Sequence, residues 1–251
     1  MKRLLSLILA LSMLLCTAMA LSSCGEETSP ERMVVSALEK TNALDDYAGK
    51  MKIMMSLEMS GQTIAIDMIT DMKMENANSD DIKAQMDIEM WMLGSKITMT
   101  SYRDKEWVYT VDPDGSYKTK ILEEEENQMD TILKELPSEL FEGIEIVNEE
   151  DGSRSVTVAI PDETFNEIYS DLLETVKESF AAQDATVTIS NAVVKINVKG
   201  DLVASYDISF DMETSVAGTT GTVEVTATVE FTQYEGVQVT FPAGYESFPE
   251  M

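Results

Sequence analysis

The sequence predicts an α+β fold: a curved antiparallel sheet, or open barrel, of about eleven strands, covered on one face by about three helices. Three observations predict it. Apolar residues recur at every second position through two long stretches, roughly 50–121 and 185–241. Short polar or glycine-bearing turns separate the alternating runs, and three other segments carry apolar residues at helical spacing instead. A sheet with one polar face must bury its other face, and the three striped segments are what the chain offers to cover it.

The first helix is expected over 30–44. Ser29 is a good N-cap, Pro30 suits the first helical position, and Val34, Ala37, Leu38, Thr41 and Leu44 share one helical face. From Lys50 the period becomes two. Met51, Ile53, Met55, Leu57 and Met59 alternate with Lys52, Met54, Ser56 and Glu58. Gly61-Gln62 turns the chain into a second strand carrying Ile64, Ile66, Met68, Met72 and Met74. Beyond the polar cluster 76–81, Ala84, Met86, Ile88, Met90 and Met92 mark a third. Gly94-Ser95 leads to Ile97 and Met99, Asp104-Lys105 to Trp107 and Tyr109, and Asp112-Pro113-Asp114-Gly115 to a sixth strand over 117–121.

Four glutamates at 123–126 open a second helical stretch with Met129, Ile132, Leu133 and Leu136, and acidic residues suit the positive end of a helix dipole. Strands are expected at 144–147 and 153–160. Asp162 then caps a third helix over 163–180, about 27 Å long, whose stripe is Phe165, Ile168, Leu172, Val176 and Phe180. A closing meander follows near 185–199, 202–214, 222–234 and 236–241, with turns at Gly200-Asp201 and 218–221.

Charge and composition exclude several function classes. The 251 residues carry 46 Asp and Glu against 18 Lys and Arg, a net charge of −28. No basic cluster is present to neutralise phosphates, so the chain is not a nucleic-acid binder, and the same sign opposes adsorption to an anionic bilayer. Histidine is absent altogether, which removes Ser-His, Cys-His and His-metal chemistry. No phosphate-binding glycine loop or nucleophile elbow is found. The two carboxylates of Asp112-Pro113-Asp114-Gly115 read as a hairpin turn and not as a calcium loop. The expectation is therefore a protein that is not an enzyme, with no cofactor and no metal.

The N-terminus reads as an export signal. Lys2 and Arg3 precede an apolar run over 4–15, and small residues lead to Leu21-Ser22-Ser23-Cys24-Gly25. That ending resembles the lipobox of bacterial lipoproteins, which implies that Cys24 is diacylated after cleavage just before it. The cysteine count agrees: Cys16 leaves with the signal, and acylation accounts for the single cysteine that remains. The expected layout is a signal peptide at 1–23, a lipidated cysteine and polar tether at 24–30, and one β-rich domain over 31–251.

The order of lipid anchor, first helix, long meander of amphipathic strands, helical insertion and closing meander, with strand texture such as Met-Asp-Ile-Glu-Met-Trp-Met at 86–92, resembles the LolA/LppX-like superfamily of envelope lipoproteins and lipoprotein carriers. It is close in texture to the Met-rich lipoproteins of Gram-positive bacteria. The resemblance implies an open half-barrel with helices across its mouth and an apolar cavity for acyl chains or glycolipids. It transfers no ligand-contacting residue to this chain.

Methionine is the strongest compositional signal. Eleven of the 18 methionines lie between Met51 and Met99, mostly on the inferred inward face of the first three strands. Met is flexible and polarisable and fits varied apolar shapes, so these side chains line either an adaptable cavity or an ordinary core under the helices. A Cu(I) site from Met72 and Met74 or Met90 and Met92 is the weakest option, because no His or Cys joins them. The expected function is an extracytoplasmic lipoprotein, held by diacylglyceryl-Cys24 at the outer face of the cytoplasmic membrane of a Gram-positive cell. It binds or carries a lipid, acyl chain or hydrophobic peptide as a monomer. Candidate cavity-lining residues are Met55, Met59, Met68, Met72, Met86, Met90, Trp107, Ile168 and Leu172. The alternative is a non-catalytic structural or adhesive surface module with a closed core.

Overall fold

The computed structural model describes residues 29–59, 62–121, 138–168, 186–216 and 219–250. Within them the strands are β1 (Tyr47–Met59), β2 (Gln62–Glu75), β3 (Lys83–Met92), β4 (Ser95–Arg103), β5 (Trp107–Asp112), β6 (Gly115–Lys120), β7 (Val147–Asn148), β8 (Arg154–Ile160), β9 (Thr186–Lys199), β10 (Leu202–Val216) and β11 (Thr219–Gln233). Two α-helices are described, α1 (Pro30–Asn42) and α2 (Asp162–Ile168). The second helical stretch expected from 123, and the third helix beyond 168, lie outside the described residues. No described helix is long and apolar enough to cross a membrane.

All eleven strands form one open antiparallel sheet in the order β6-β5-β4-β3-β2-β1-β11-β10-β9-β8-β7. The two meanders therefore join at the centre, where the first strand pairs with the last. Their register places Ile53 opposite both Ala227 and Met68, and Met55 opposite both Val225 and Ile66. Alternation then does what a period of two requires. Met51, Ile53 and Met55 are buried while Lys52, Met54 and Glu58 are exposed, and the buried set continues on the same face through β10, β9 and β8 as Tyr206, Ile208, Val194, Ile196, Val156 and Val158.

Helix α1 starts where the sequence places it: the Ser29 Oγ accepts from the Arg32 N–H at 3.3 Å, with Pro30 at the first position. Val34, Ala37 and Leu38 are almost fully buried, and the helix packs on β9 and β10. Thr41 fastens it to the sheet. Its hydroxyl donates to the Ala37 carbonyl (2.7 Å) and accepts from the Val203 N–H (2.9 Å), while the Tyr234 hydroxyl donates to the Val203 carbonyl (3.0 Å). These bonds satisfy Val203 beside the irregularity between Val203 and Ser205 in the β9–β10 pairing. Thr41→Val is expected to lower the free energy of unfolding by about 1–3 kcal/mol, because it strands a buried N–H. Urea denaturation reads this, and an unchanged midpoint would show that the N–H finds another partner.

Four expectations are corrected. Of residues 144–147 only Val147 lies in a strand, the two-residue β7, and the Ile144 N–H bonds the Phe141 carbonyl in a turn instead of a neighbouring strand. Asp162 is the first helical residue and not the cap: Phe165 donates to the Pro161 carbonyl, and the Asp162 carboxylate accepts from the Asn191 N–H at 3.0 Å. Strand β11 begins at Thr219, paired with Val216, so residues 219–221, expected in a turn, belong to the strand. Residues 236–241 are not a strand. They cross the outer face of the other meander, burying Val237 and Val239, and the Val239 N–H bonds the Glu75 Oε2 at 2.7 Å instead of a neighbouring strand.

That C-terminal segment is held by rings and one carboxylate. Phe241 lies 5.6 Å from both Tyr102 and Tyr109, and Tyr245 lies 4.9 Å from Tyr109 in edge-to-face contact. At its end the Lys118 N–H donates to the Pro249 carbonyl at 2.9 Å, which caps part of edge strand β6. Glu75 is bonded by Lys83 at 2.8 Å and by the Val239 N–H, and these hold its carboxyl below the usual range. A carboxyl lowered in the folded state stabilises fully above its unfolded pKa, and that contribution fades as pH falls through the folded one. Glu75→Gln is therefore expected to melt below wild type at pH 7, with the gap closing below about pH 4. Paired melts from pH 7 to pH 3 check this; a gap independent of pH would contradict it.

Candidate functional site

Strands β1 to β4 build one continuous apolar surface, and the sequence puts methionine at its centre. The register sets Met68 directly opposite Met90, and Met72 opposite Met86, with Ile88 facing Met99 and Met90 facing Ile97 on β4. Met51, Met55, Met68, Met72 and Met90 are all buried, and Met86, Met92 and Met99 are half-buried against them. Directly paired thioethers of this kind form a deformable surface, because each side chain has three rotatable bonds and no branch. Gly49, opposite Met72, leaves the space this packing uses. A Cβ there would stand 2.7 Å from the Glu230 carbonyl oxygen and 3.1 Å from the Met72 Cε.

The structure brings Met55, Met68, Met72, Met86 and Met90 together on this face. Trp107 is not among them. It pairs with Lys120, in the row of outward residues that includes Tyr109 and Lys118, and the Lys118 Nζ lies 4.6 Å over its ring. The side chains of Met59 and Ile168, and the whole of Leu172 and Cys24, lie outside the described residues. Two features of the face escaped the sequence reading. Thr70 interrupts the apolar alternation between Met68 and Met72 yet is buried, and Gly49 sits at a register shift between β1 and β11. A hydroxyl at an inward position between Met68 and Met72 was the available signal for the first.

On the outer side, a surface cleft of about 520 Å³ lies between the turn after β2 and the turn after β4, lined by Asn76, Asp80, Asp81, Ile82, Lys83, Asp104, Lys105, Glu106 and Trp107. Two of its acids, Asp80 and Asp104, are held in the fold. The Asp104 Oδ1 accepts from the N–H groups of Glu106 and Trp107, both at 2.8 Å, and its Oδ2 accepts from the Tyr109 hydroxyl, also at 2.8 Å. Asp80 pairs with Lys105 at 2.7 Å and Lys83 with Glu75. Burial, followed by that bond to Asp104, pushes the Tyr109 phenol well above its usual range, which suits a structural donor. Among the described residues no group of three or more Asp, Glu, Cys or His gathers as a metal site.

No protein-family model matches the chain. No curated protein matches it. Among solved structures, LprF from Mycobacterium bovis is 11% identical over 87% of this chain and all of its own, with a TM-score of 0.45. A β-barrel-like protein of a domain of unknown function from Brucella abortus is 8% identical over 77% of this chain and all of its own, at a TM-score of 0.25. Neither likeness assigns a ligand or an activity.

Proposed function

We propose that this chain is a lipid-anchored extracytoplasmic protein of the LolA/LppX-like kind, which takes up an apolar ligand against its methionine face and performs no chemistry. The observation that carries the proposal is the cross-strand pairing of Met68 with Met90 and of Met72 with Met86. A core that needs only to be filled is served better by Leu and Ile, whose rotamers specify one packing, whereas paired thioethers reshape around a guest. The described helices pack on β9 and β10, whereas the methionine strands occupy the other half of the sheet. The driving force would be burial: each 100 Å² of acyl chain leaving water contributes about 2.5 kcal/mol. Tethering by acylated Cys24 would hold the domain at the outer face of the cytoplasmic membrane, where such ligands are found.

The deep burial of Met51 and Met68 supports a second reading, a structural or adhesive surface module whose methionine face is closed core. Native mass spectrometry of protein purified without detergent, followed by solvent extraction, separates the two. A discrete adduct of lipid mass supports the carrier, and a clean apo mass with no uptake of added palmitate, monopalmitoylglycerol or hexadecane overturns it.

A further inference from the structure

Thr70 is 1% exposed, and its hydroxyl has no hydrogen-bond partner among the described residues. Three other buried hydroxyls in the fold are paired. Thr41 bonds Ala37 and Val203, Ser153 bonds the Asp151 carboxylate at 2.6 Å, and Ser155 bonds Glu149 at 2.7 Å. Thr70 stands at the middle of the methionine face. Met51 and Ile88 are directly opposite it, Met68 and Met72 flank it along β2, and Met86 and Met90 are diagonal to it. An unpaired hydroxyl in such surroundings is a standing cost that valine, of the same shape, would avoid.

We propose that the Thr70 hydroxyl is the polar anchor of the ligand site, and that it selects an uncharged acyl ester or acylglycerol over plain hydrocarbon and over a free fatty acid. This rests on the apolar-ligand reading above. One hydroxyl donates one hydrogen bond, which matches one ester carbonyl or glycerol oxygen. None of the six residues around it carries a charge, so a carboxylate brought here would be desolvated without compensation. An ester pays no such penalty and satisfies the hydroxyl, while its chain lies along the thioethers on either side.

The test is equilibrium dialysis of the delipidated protein against radiolabelled monopalmitoylglycerol, palmitate and hexadecane, for wild type, Thr70→Val and Thr70→Ser. Wild type should prefer the glyceride. Thr70→Val should weaken it about three- to tenfold, leave hexadecane within twofold, and melt no lower than wild type when ligand-free; Thr70→Ser should restore glyceride binding. Equal loss for glyceride and hydrocarbon, or a lower melting temperature for ligand-free Thr70→Val, overturns the assignment of the hydroxyl. Binding of all three ligands without regard to the hydroxyl overturns this inference alone. Binding of none overturns the apolar-ligand reading with it.

Discussion

Met68→Asp is expected to cost about 3–5 kcal/mol at pH 7, a large share of the stability of a domain this size, because it places an unpaired carboxylate in an apolar surface. Met68 is 2% exposed and stands between Ile53 and Met90, with no cation directly opposite on either strand. The introduced carboxyl would take its proton at higher pH than usual, so part of the loss should return as pH falls from 7 to 5. The same change at Met54, which is 40% exposed on the other face, should cost about 0.5 kcal/mol or less. Met68→Leu should cost less than about 1.5 kcal/mol. Urea denaturation of the three variants reads all of this. A small effect of Met68→Asp would mean that the methionine face is solvated, and the burial described above would then be wrong.

Gly49→Val is the second large effect. The branched side chain would have to enter where even a Cβ meets the Glu230 carbonyl oxygen at 2.7 Å, and backbone cannot move aside as a flexible side chain does. The pairing of β1 with β11 shifts between Ala48 and Gly49, so the glycine lets the two meanders close at the centre of the sheet. A loss of about 2–3 kcal/mol is expected, with the Met72 end of the apolar face displaced. Thermal melts measure the first. The methyl resonance of Met72 reports the second, and an unshifted Met72 signal would show that the strain is absorbed elsewhere.

The sheet was readable wherever one face is buried. Strands β1 to β3 alternate because Met51, Ile53, Met68 and Met90 go inward and Lys52, Asp67 and Glu89 do not, and a period of two states this directly. Helix α1 was readable because Ser29 and Pro30 act locally. What failed was partner choice. Val237, Val239 and Phe241 alternate as a strand does, but alternation reports extended backbone, and their partners are Glu75, Tyr102 and Tyr109 across the outer face. Trp107 was placed on the wrong face because one residue of phase reverses a strand, and only the pairing of Tyr109 with Tyr102 and of Trp107 with Lys120 fixes that phase. Gly49 carries no local signal of its role, and Thr70 only that of a hydroxyl at an inward position between two methionines. One matters through a carbonyl about 180 residues away in sequence, the other through the partner its hydroxyl lacks.

The claim that the methionine face receives an apolar ligand is tested most directly by photo-crosslinking. The purified protein is loaded with a monoacylglycerol carrying a diazirine at mid-chain, irradiated and digested, and the labelled residues are mapped. Label concentrated on Met55, Met68, Met72, Met86 and Met90, and displaced by excess unlabelled lipid, is the predicted result. Label spread over outer-face residues such as Met54 and Trp91, or no displaceable label at all, would contradict it.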